Sequence, residues 1–494
     1  DVAPAHDAVM AYLAYHGTDP ASVTPETLER LDGLLDAPIP INTCTVADLD
    51  ALPLLSITVA RQLITYREAR DPIRGLADLQ SVPNLPPGVA AVIAPFLRFD
   101  TVLRPRRGRI TVGLSRRLDL AEGFTRPDSA GGFAGPPLGA FLRVQLPPRP
   151  HLTVAAVMEY DPGEPLSAGP DHTTLAVDAR NRPGTLRGVG GHFYLHAGQG
   201  LLLSAPRFGG TGSTPVRAAM QTPYRLRAAA TRSEGLARRG IAVEATFLQA
   251  LQVTLFVSRR QARESSQGLI LRWLRGDLHI GVAAQTLRYE HPIAPGEHMA
   301  DRHRFSGDDI AGVSAFVTHT ARWGAIYAEG ARSVAGMAGL LGVRIEGTLR
   351  QRIAIQVRQY TPAYHAPSGS GFGRRQGPAH NEQGLYLAAA LPLTHSLYLT
   401  ASSDHYHYPW ITRTRPFPAS GHESGAGLTL RPRSWFDVSL RYTVTTGYAS
   451  APFTARLGHT PANAASDGVL LKGVAPTRRS AVHLDLAYQH SRRL

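Results

Sequence analysis

The chain has 494 residues and a formal net charge of +14, from 52 Lys+Arg against 38 Asp+Glu. It holds no apolar run of about 18 residues, which excludes a membrane-spanning helix but not a β-barrel, whose strands need only one apolar face. The single Cys44 excludes an internal disulfide.

The charge is divided at a seam near residue 100. Residues 1–100 carry 13 acids and 6 arginines, net −7, leaving 25 acids and 46 bases, net +21, for residues 101–494. All but one of the cationic side chains are Arg, the exception being Lys472. Such a basic excess suits anionic lipid head groups, nucleic acid or an anionic solute. The seam predicts two domains: residues 1–100, all helical, and residues 101–494, mainly β. No leader precedes Asp1, so the sequence of an exported protein would here be its mature form.

Helices are predicted over residues 5–15 and 25–35. Leu28, Leu31, Leu34 and Leu35 have helical spacing and should pack on the helical hairpins C-terminal to them. Pro38 and Pro40 mark the join. Next comes a near-repeat offset by 30 residues, Asp48 to Ala60 over Asp78 to Ala90. Each unit reads as helix, tight turn and helix. The turns are Pro53, Leu54, Leu55 and Ser56 in the first unit, and Pro83, Asn84, Leu85 and Pro86 in the second.

With Ile41-Asn42-Thr43, Leu52-Pro53, Tyr66-Arg67 and Val82-Pro83 in order, this region resembles the tandem helix-hairpin-helix domain of competence DNA receptors of the ComEA type. In that family glycines in each turn present backbone N–H groups to a phosphate. Both glycines are missing from each turn here, and Pro86 has no N–H to offer. With a net charge of −7 as well, the module is expected to bind duplex DNA poorly and to serve as a docking or spacer unit.

From residue 101 onward apolar residues recur at every second position. Ile110, Val112 and Leu114 form one such window, Ile353, Ile355 and Val357 another, and Val482, Leu484 and Leu486 a third. This period specifies strands with one apolar face. The array predicts an antiparallel transmembrane β-barrel of about 16 strands. Phe436, Val438, Leu440 and Tyr442 should face lipid, with Asp437, Ser439 and Arg441 inward. Short turns at 146–149, 274–277 and 431–433 contrast with long links at 361–381 and 449–479. Tyr160, Tyr289, Tyr360, Tyr406, Tyr408, Trp410 and Tyr442 suit interfacial girdles. The end at Leu494 lacks the terminal aromatic usual in such barrels, so either the last strand is unusual or the sequence stops short of it.

Taken whole, the chain resembles exported Bacteroidota-type proteins with a helix-hairpin-helix module ahead of a predicted outer-membrane barrel. The stretch from His192 through Gly198-Gln199-Gly200-Leu201 and the pair Arg239-Gly240 carry that likeness. The resemblance implies architecture and no activity.

Candidate chemistry is sparse. His405 and His407 share a strand face and are spaced to share a metal, but no third ligand is evident. An aromatic-rich strand end is the plainer reading. The glycine-rich stretch 368–375 lacks the helix that a phosphate loop needs, and reads as a surface loop. No catalytic residue, cofactor or metal site is identified. Arg143, Arg288, Arg358 and Arg441 fall within strands. Facing a lumen they would attract anions; otherwise they pair with lipid phosphate or nearby acids.

Two functions stay open: a passage for an anionic solute or polymer, and a scaffold anchoring a docking module in a larger envelope complex. A DNA-uptake receptor ranks below both. The expected partners are outer-membrane lipid and other envelope proteins. The module is expected on the periplasmic side, docked at the barrel mouth by its opposite charge.

Overall fold

The computed structural model describes chiefly residues 38–44, 57–69, 72–83, 89–99, 108–126, 131–165, 172–205, 215–230, 237–260, 264–347, 351–374, 378–412, 417–433, 436–452 and 472–488, with single positions left out inside some runs and isolated residues between them.

The N-terminal region contains α1 (Ile57–Ala69), α2 (Leu76–Gln80) and α3 (Val89–Ile93). Two short parallel strands tie its ends together, β1 (Ile39–Pro40) against β2 (Leu97–Arg98). Leu49, Leu52, Leu63, Ile73, Leu79, Ile93 and Phe96 form one buried cluster. Tyr12 and Leu31 join it from the preceding segment, with Leu34 and Leu35 partly buried against it. The expected packing of that leucine stripe is therefore present for these three; Leu28 lies outside the described residues.

The rest is an antiparallel sheet. Its strands begin with β3 (Arg109–Arg116), β4 (Leu138–Arg149), β5 (Leu152–Tyr160), β6 (His172–Arg180), β7 (Leu186–Ala197), β8 (Tyr224–Ala228) and β9 (Arg238–Phe247). There follow β10 (Leu251–Arg260), β11 (Glu264–Arg275), β12 (Leu278–Ile293), β13 (Gly307–Ala321), β14 (Gly324–Ser333) and β15 (Gly336–Glu346). The last are β16 (Arg352–Tyr360), β17 (Glu382–Pro392), β18 (Leu397–Tyr408), β19 (Ala419–Arg433), β20 (Phe436–Pro452) and β21 (Lys472–Tyr488). Antiparallel pairing is continuous from β3 to β7 and from β9 to β21, with register shifts at Leu146/Arg149, Arg288/Ile293 and Leu430/Arg433, and β7 pairs directly with β9. β21 stands next to β3, so the strand order returns on itself as a closed barrel.

Nineteen strands enter this order, more than the sixteen or so expected. β8 is the odd one. Its described register is with β7 alone, while the partners of β9 are β7 and β10. Among the described residues the wall proper therefore has 18 strands. An even count lets β3 start and β21 finish at the same end.

Parity is clear along much of the wall, away from its register shifts. On β15 the residues Met337, Leu341 and Ile345 are exposed on the outside, and Ala338, Leu340 and Arg344 are buried on the inside. Ile110, Val112, Ile353, Ile355, Val357, Leu440, Tyr442, Val482 and Leu484 all lie exposed on the outer face. This is the orientation expected from the alternation; the side chains of Phe436 and Asp437 lie outside the described residues.

One end of the barrel has tight joins, between Arg149 and Leu152, Arg275 and Leu278, Ala321 and Gly324, and Arg433 and Phe436. The other end carries the long links, including 117–137, 294–306, 361–381 and 453–471. The last is shorter than expected, because β20 runs to Pro452 and β21 begins at Lys472.

A candidate functional site inside the barrel

The alternation of β7 fails from Phe193 onward, where consecutive residues are all buried through Ala205. A segment apolar on both faces needs cover on both. Here it finds cover by leaving the wall and crossing the lumen. Phe193, Leu195, Leu201, Leu203, Val216 and Met220 pack on wall residues Phe256, Ile270, Phe316, Tyr327, Leu340 and Tyr386. The result is a hydrophobic core inside the barrel.

Polar groups of the wall, and Tyr364 of the link after β16, pin this internal segment. The buried Glu329 carboxylate, on β14, accepts from the amides of Gln199 and Leu201, at 2.5 and 3.1 Å. Tyr327 donates to the Ala219 carbonyl, Tyr386 to Pro215 and Tyr364 to Leu201. Gln199 and Gln221 exchange hydrogen bonds through side chain and backbone. Gly198 has φ +63, and a Cβ there would lie 2.6 Å from Glu329 Oε2. Only glycine fits that conformation and that approach.

The glycine-rich stretch expected at the surface is the second half of the plug. Ser368, Gly369, Gly371 and Phe372 are buried. The Ser204 amide donates to the Ser368 carbonyl at 2.9 Å, and the Ser370 amide to Gly200 at 2.8 Å. A Cβ on Gly369 would sit 2.0 Å from the Leu201 carbonyl oxygen. Small residues here serve close backbone contact between two inner segments, not a mobile loop.

The four arginines singled out from the sequence separate. Arg358 points inward with no exposed side-chain surface, 2.6 Å from Glu382 and 2.8 Å from Asp404. Its charge is spent on that triad. Arg143 shares the inward parity of its strand, since Leu142 and Leu146 are exposed on the outer face. Arg288 has the outward parity of Ile280 and Val282, is 70% exposed and lies 3.8 Å from Asp309. A lumen role for it does not hold, because odd and even positions of β12 face opposite ways. Arg441 points inward beside a cleft.

That cleft lies between the plug and the inner face of β18 to β20. Pro215 of the plug, Thr400, Ser402, Glu423, Arg441 and Thr443 line it, with Gly425 and Gly427 leaving room. About 310 Å³ of atom-free space lies in and over it, open solvent included. Arg374, in the link after β16, reaches across to Glu423 at 2.7 Å and neutralises it. Arg441 has no ion-pair partner among the described residues. The plug thus fills the β10–β17 side of the lumen and leaves a polar gap at β18–β20. No sequence signal marked Glu423 or Glu329, and the two stretches that build the plug were singled out without their inner position, because each depends on segments far apart in the chain.

His405 and His407 share a face, as expected, but it is the outer face. His422 is the direct cross-strand partner of His405, their rings stacked at 4.9 Å. No group of three ligands suited to a metal occurs among the described residues.

In the helical region the first turn, Pro53, Leu54, Leu55 and Ser56, and Asn84 and Pro86 of the second lie outside the described residues; Pro83 is exposed and Leu85 half-buried. The residues that carried the resemblance hold the fold together. Asn42 donates to the carbonyls of Ile73 and Phe99 and accepts from the Ile73 amide. Arg67 donates to the carbonyls of Ile41 and Cys44.

A helix-hairpin-helix motif family matches residues 36–98. No curated protein matches the chain. Among solved structures, OmpT, an outer membrane protein of Vibrio cholerae, is similar at 12% identity and a TM-score of 0.29, covering 71% of this chain and 90% of its own. Pseudomonas aeruginosa OpdQ is similar at 8% identity and 0.38, covering 71% and 90%. Acinetobacter baumannii OccAB2 is similar at 10% identity and 0.38, covering 71% and 91%. These matches extend neither to the Bacteroidota-type lineage nor to kinship with competence receptors.

Proposed function

We propose that this chain is a non-enzymatic outer-membrane barrel that passes small anionic solutes through the gap beside its internal plug, with the helical module on the periplasmic side. The outward apolar face supports placement in lipid, which tolerates no open sheet edge. Short joins at one barrel end, and β3 starting there, support a periplasmic position for the module in front of it. Its net −7 against the net +21 of the rest favours docking at that mouth.

The observation that carries the reading is the cleft, where Glu423 is neutralised by Arg374 and Arg441 is left, among the described residues, as the free cation. Conductance of the full chain in planar bilayers under a KCl gradient tests it. Anion-selective current is expected, and Arg441→Glu should move the selectivity toward cations. Silence from both the native chain and a plug-loosened variant would overturn the passage. The scaffold reading would then stand, favoured by the interlocked core inside the barrel.

A further inference from the structure

The outer face of β18 to β21 changes character along one line. On the rung Ala401, Ala426, Tyr442 and Val482, every outward residue is apolar or aromatic. One rung nearer the long links stand Ser403, Ser424, Val444 and Ser480. The rung after that is His405, His422, Thr446 and Arg478. These four are register partners in series across four strands, and His407 with Ser420 lies beyond them. Strand spacing makes the rung about 14 Å long.

The side chains are tied to one another. His422 bonds Thr446 Oγ1 at 3.1 Å and Ser424 Oγ at 2.7 Å. Ser424 donates to Ser403 Oγ, and Ser403 bonds His405 Nε2 at 3.2 Å. His407 Nδ1 bonds Ser420 Oγ at 3.0 Å. The network fixes the imidazoles and hydroxyls without using His405 Nδ1 or His407 Nε2. Arg478 is exposed at the end of the rung. None of the described outward positions on these four strands is acidic. On β17 the neighbouring outward residues, Leu385 and Leu387, are apolar again, so the patch is bounded on that side.

We propose that this patch is a seat for the phosphate of a membrane lipid, held against the outer wall just above the apolar belt. The inference rests on the reading that the belt lies in lipid. Continuity with that belt favours a lipid head group over a dissolved anion, since an anchored acyl chain would lie along Leu399, Ala401, Ala426 and Leu428 on the same face. A guanidinium and pre-oriented N–H and O–H donors, with no carboxylate beside them, match a phosphate monoester or diester.

The test uses the full chain reconstituted in phosphatidylcholine vesicles containing a minor fraction of phosphatidylglycerol. The lipid retained after detergent extraction is then counted by native mass spectrometry. Retention of phosphatidylglycerol over phosphatidylcholine is expected. It should fall about tenfold in a His405→Gln, His422→Gln, Arg478→Gln variant, the loss of one strong charge-assisted contact. A variant with Arg288→Gln, an outward arginine elsewhere on the wall, should retain the lipid as the native chain does, which also guards against a general loss of fold. Equal retention by the native chain and the triple variant, both floating with vesicles, overturns the patch alone. Failure of the native chain to float overturns the membrane reading and the patch with it. Displacement of the lipid by millimolar inorganic phosphate assigns the patch to dissolved anions and overturns the lipid seat.

Discussion

Glu329 on the barrel wall accepts the amide hydrogens of Gln199 and Leu201, 130 and 128 residues earlier in the chain. This contact ties the internal segment to the wall. An ionisable group so deep inside needs hydrogen bonds, and the internal segment supplies two of them, both to Oε2. In turn the carboxylate holds the turn formed by Gly198, Gln199 and Gly200 against β14.

The first prediction follows from the fit of that turn. In Gly198→Ala the methyl group would meet Glu329 Oε2, and a left-handed conformation would be forced on alanine. The strain is worth about 1–3 kcal/mol. The plug contact should loosen while the wall persists. Larger single-channel conductance with unchanged resistance of the barrel to SDS is the expected result. Unchanged conductance would show that the turn does not gate the gap.

Arg358 carries the second prediction. Its guanidinium bridges Glu382 and Asp404, all three buried, and lies over the ring of Phe372. Arg358→Met leaves two buried carboxylates without their counter-charge, a cost of about 3–5 kcal/mol. The temperature at which the barrel loses SDS resistance should fall clearly. Restoring neutrality with Glu382→Gln and Asp404→Asn in the same chain should recover most of it. No recovery would mean that Arg358 acts through packing on Phe372 rather than through charge.

How far the sequence disclosed this fold depends on which forces each residue obeys. Ile353, Ile355 and Val357 disclosed their strand because one face meets apolar surroundings and the other does not. The ends of β20 and β21 escaped detection because Thr445, Thr446, Thr477 and Arg478 are polar on both faces, so pairing there extends past the alternation. The second half of β7 escaped because a segment covered on both sides has no period of two. The partners of Arg358 lie 24 and 46 residues away on other strands, and nothing local announces them. The outward turn of Arg288 was readable from the parity of Ile280 and Val282, had its strand been placed in register.

Arg374 supports the third prediction. It reaches from the link between β16 and β17 to Glu423 in the cleft, and both groups are partly exposed. The pair contributes little to stability, since water screens it. Its effect is on the local field. Arg374→Gln uncovers a carboxylate beside Arg441, so the anion-to-cation permeability ratio should fall about threefold. Thermal resistance should stay within error. A ratio equal to that of the native chain would exclude the cleft from the conducting path.

A fourth prediction concerns Asn42, whose amide joins Ile73 and Phe99 and so closes the helical region next to β1 and β2. Asn42→Ala removes three hydrogen bonds and leaves the Ile73 amide without its partner, a cost of about 1–3 kcal/mol. Hydrogen exchange of the Ile41 and Ile73 amides in the full chain should speed up by about tenfold or more. Exchange in the wall strands should not change. Uniform acceleration across the chain would contradict a local clasp.

The last prediction separates likeness of shape from function in the helical region. Asn42 and Arg67, which carried the resemblance to DNA receptors, are both occupied with backbone carbonyls of their own region. Neither is free to meet a phosphate. The turns that would present amide hydrogens to a backbone phosphate lack glycine, and the second contains Pro86. Thirteen acids against six arginines oppose a polyanion at any distance within the screening length. Residues 1–100 mixed with duplex DNA at about 0.15 M salt should show no submicromolar binding, and lowering the salt should bring little gain, because few cations face the duplex. Submicromolar binding, or a steep rise in affinity as salt falls, would return this region to the DNA-binding members of its fold.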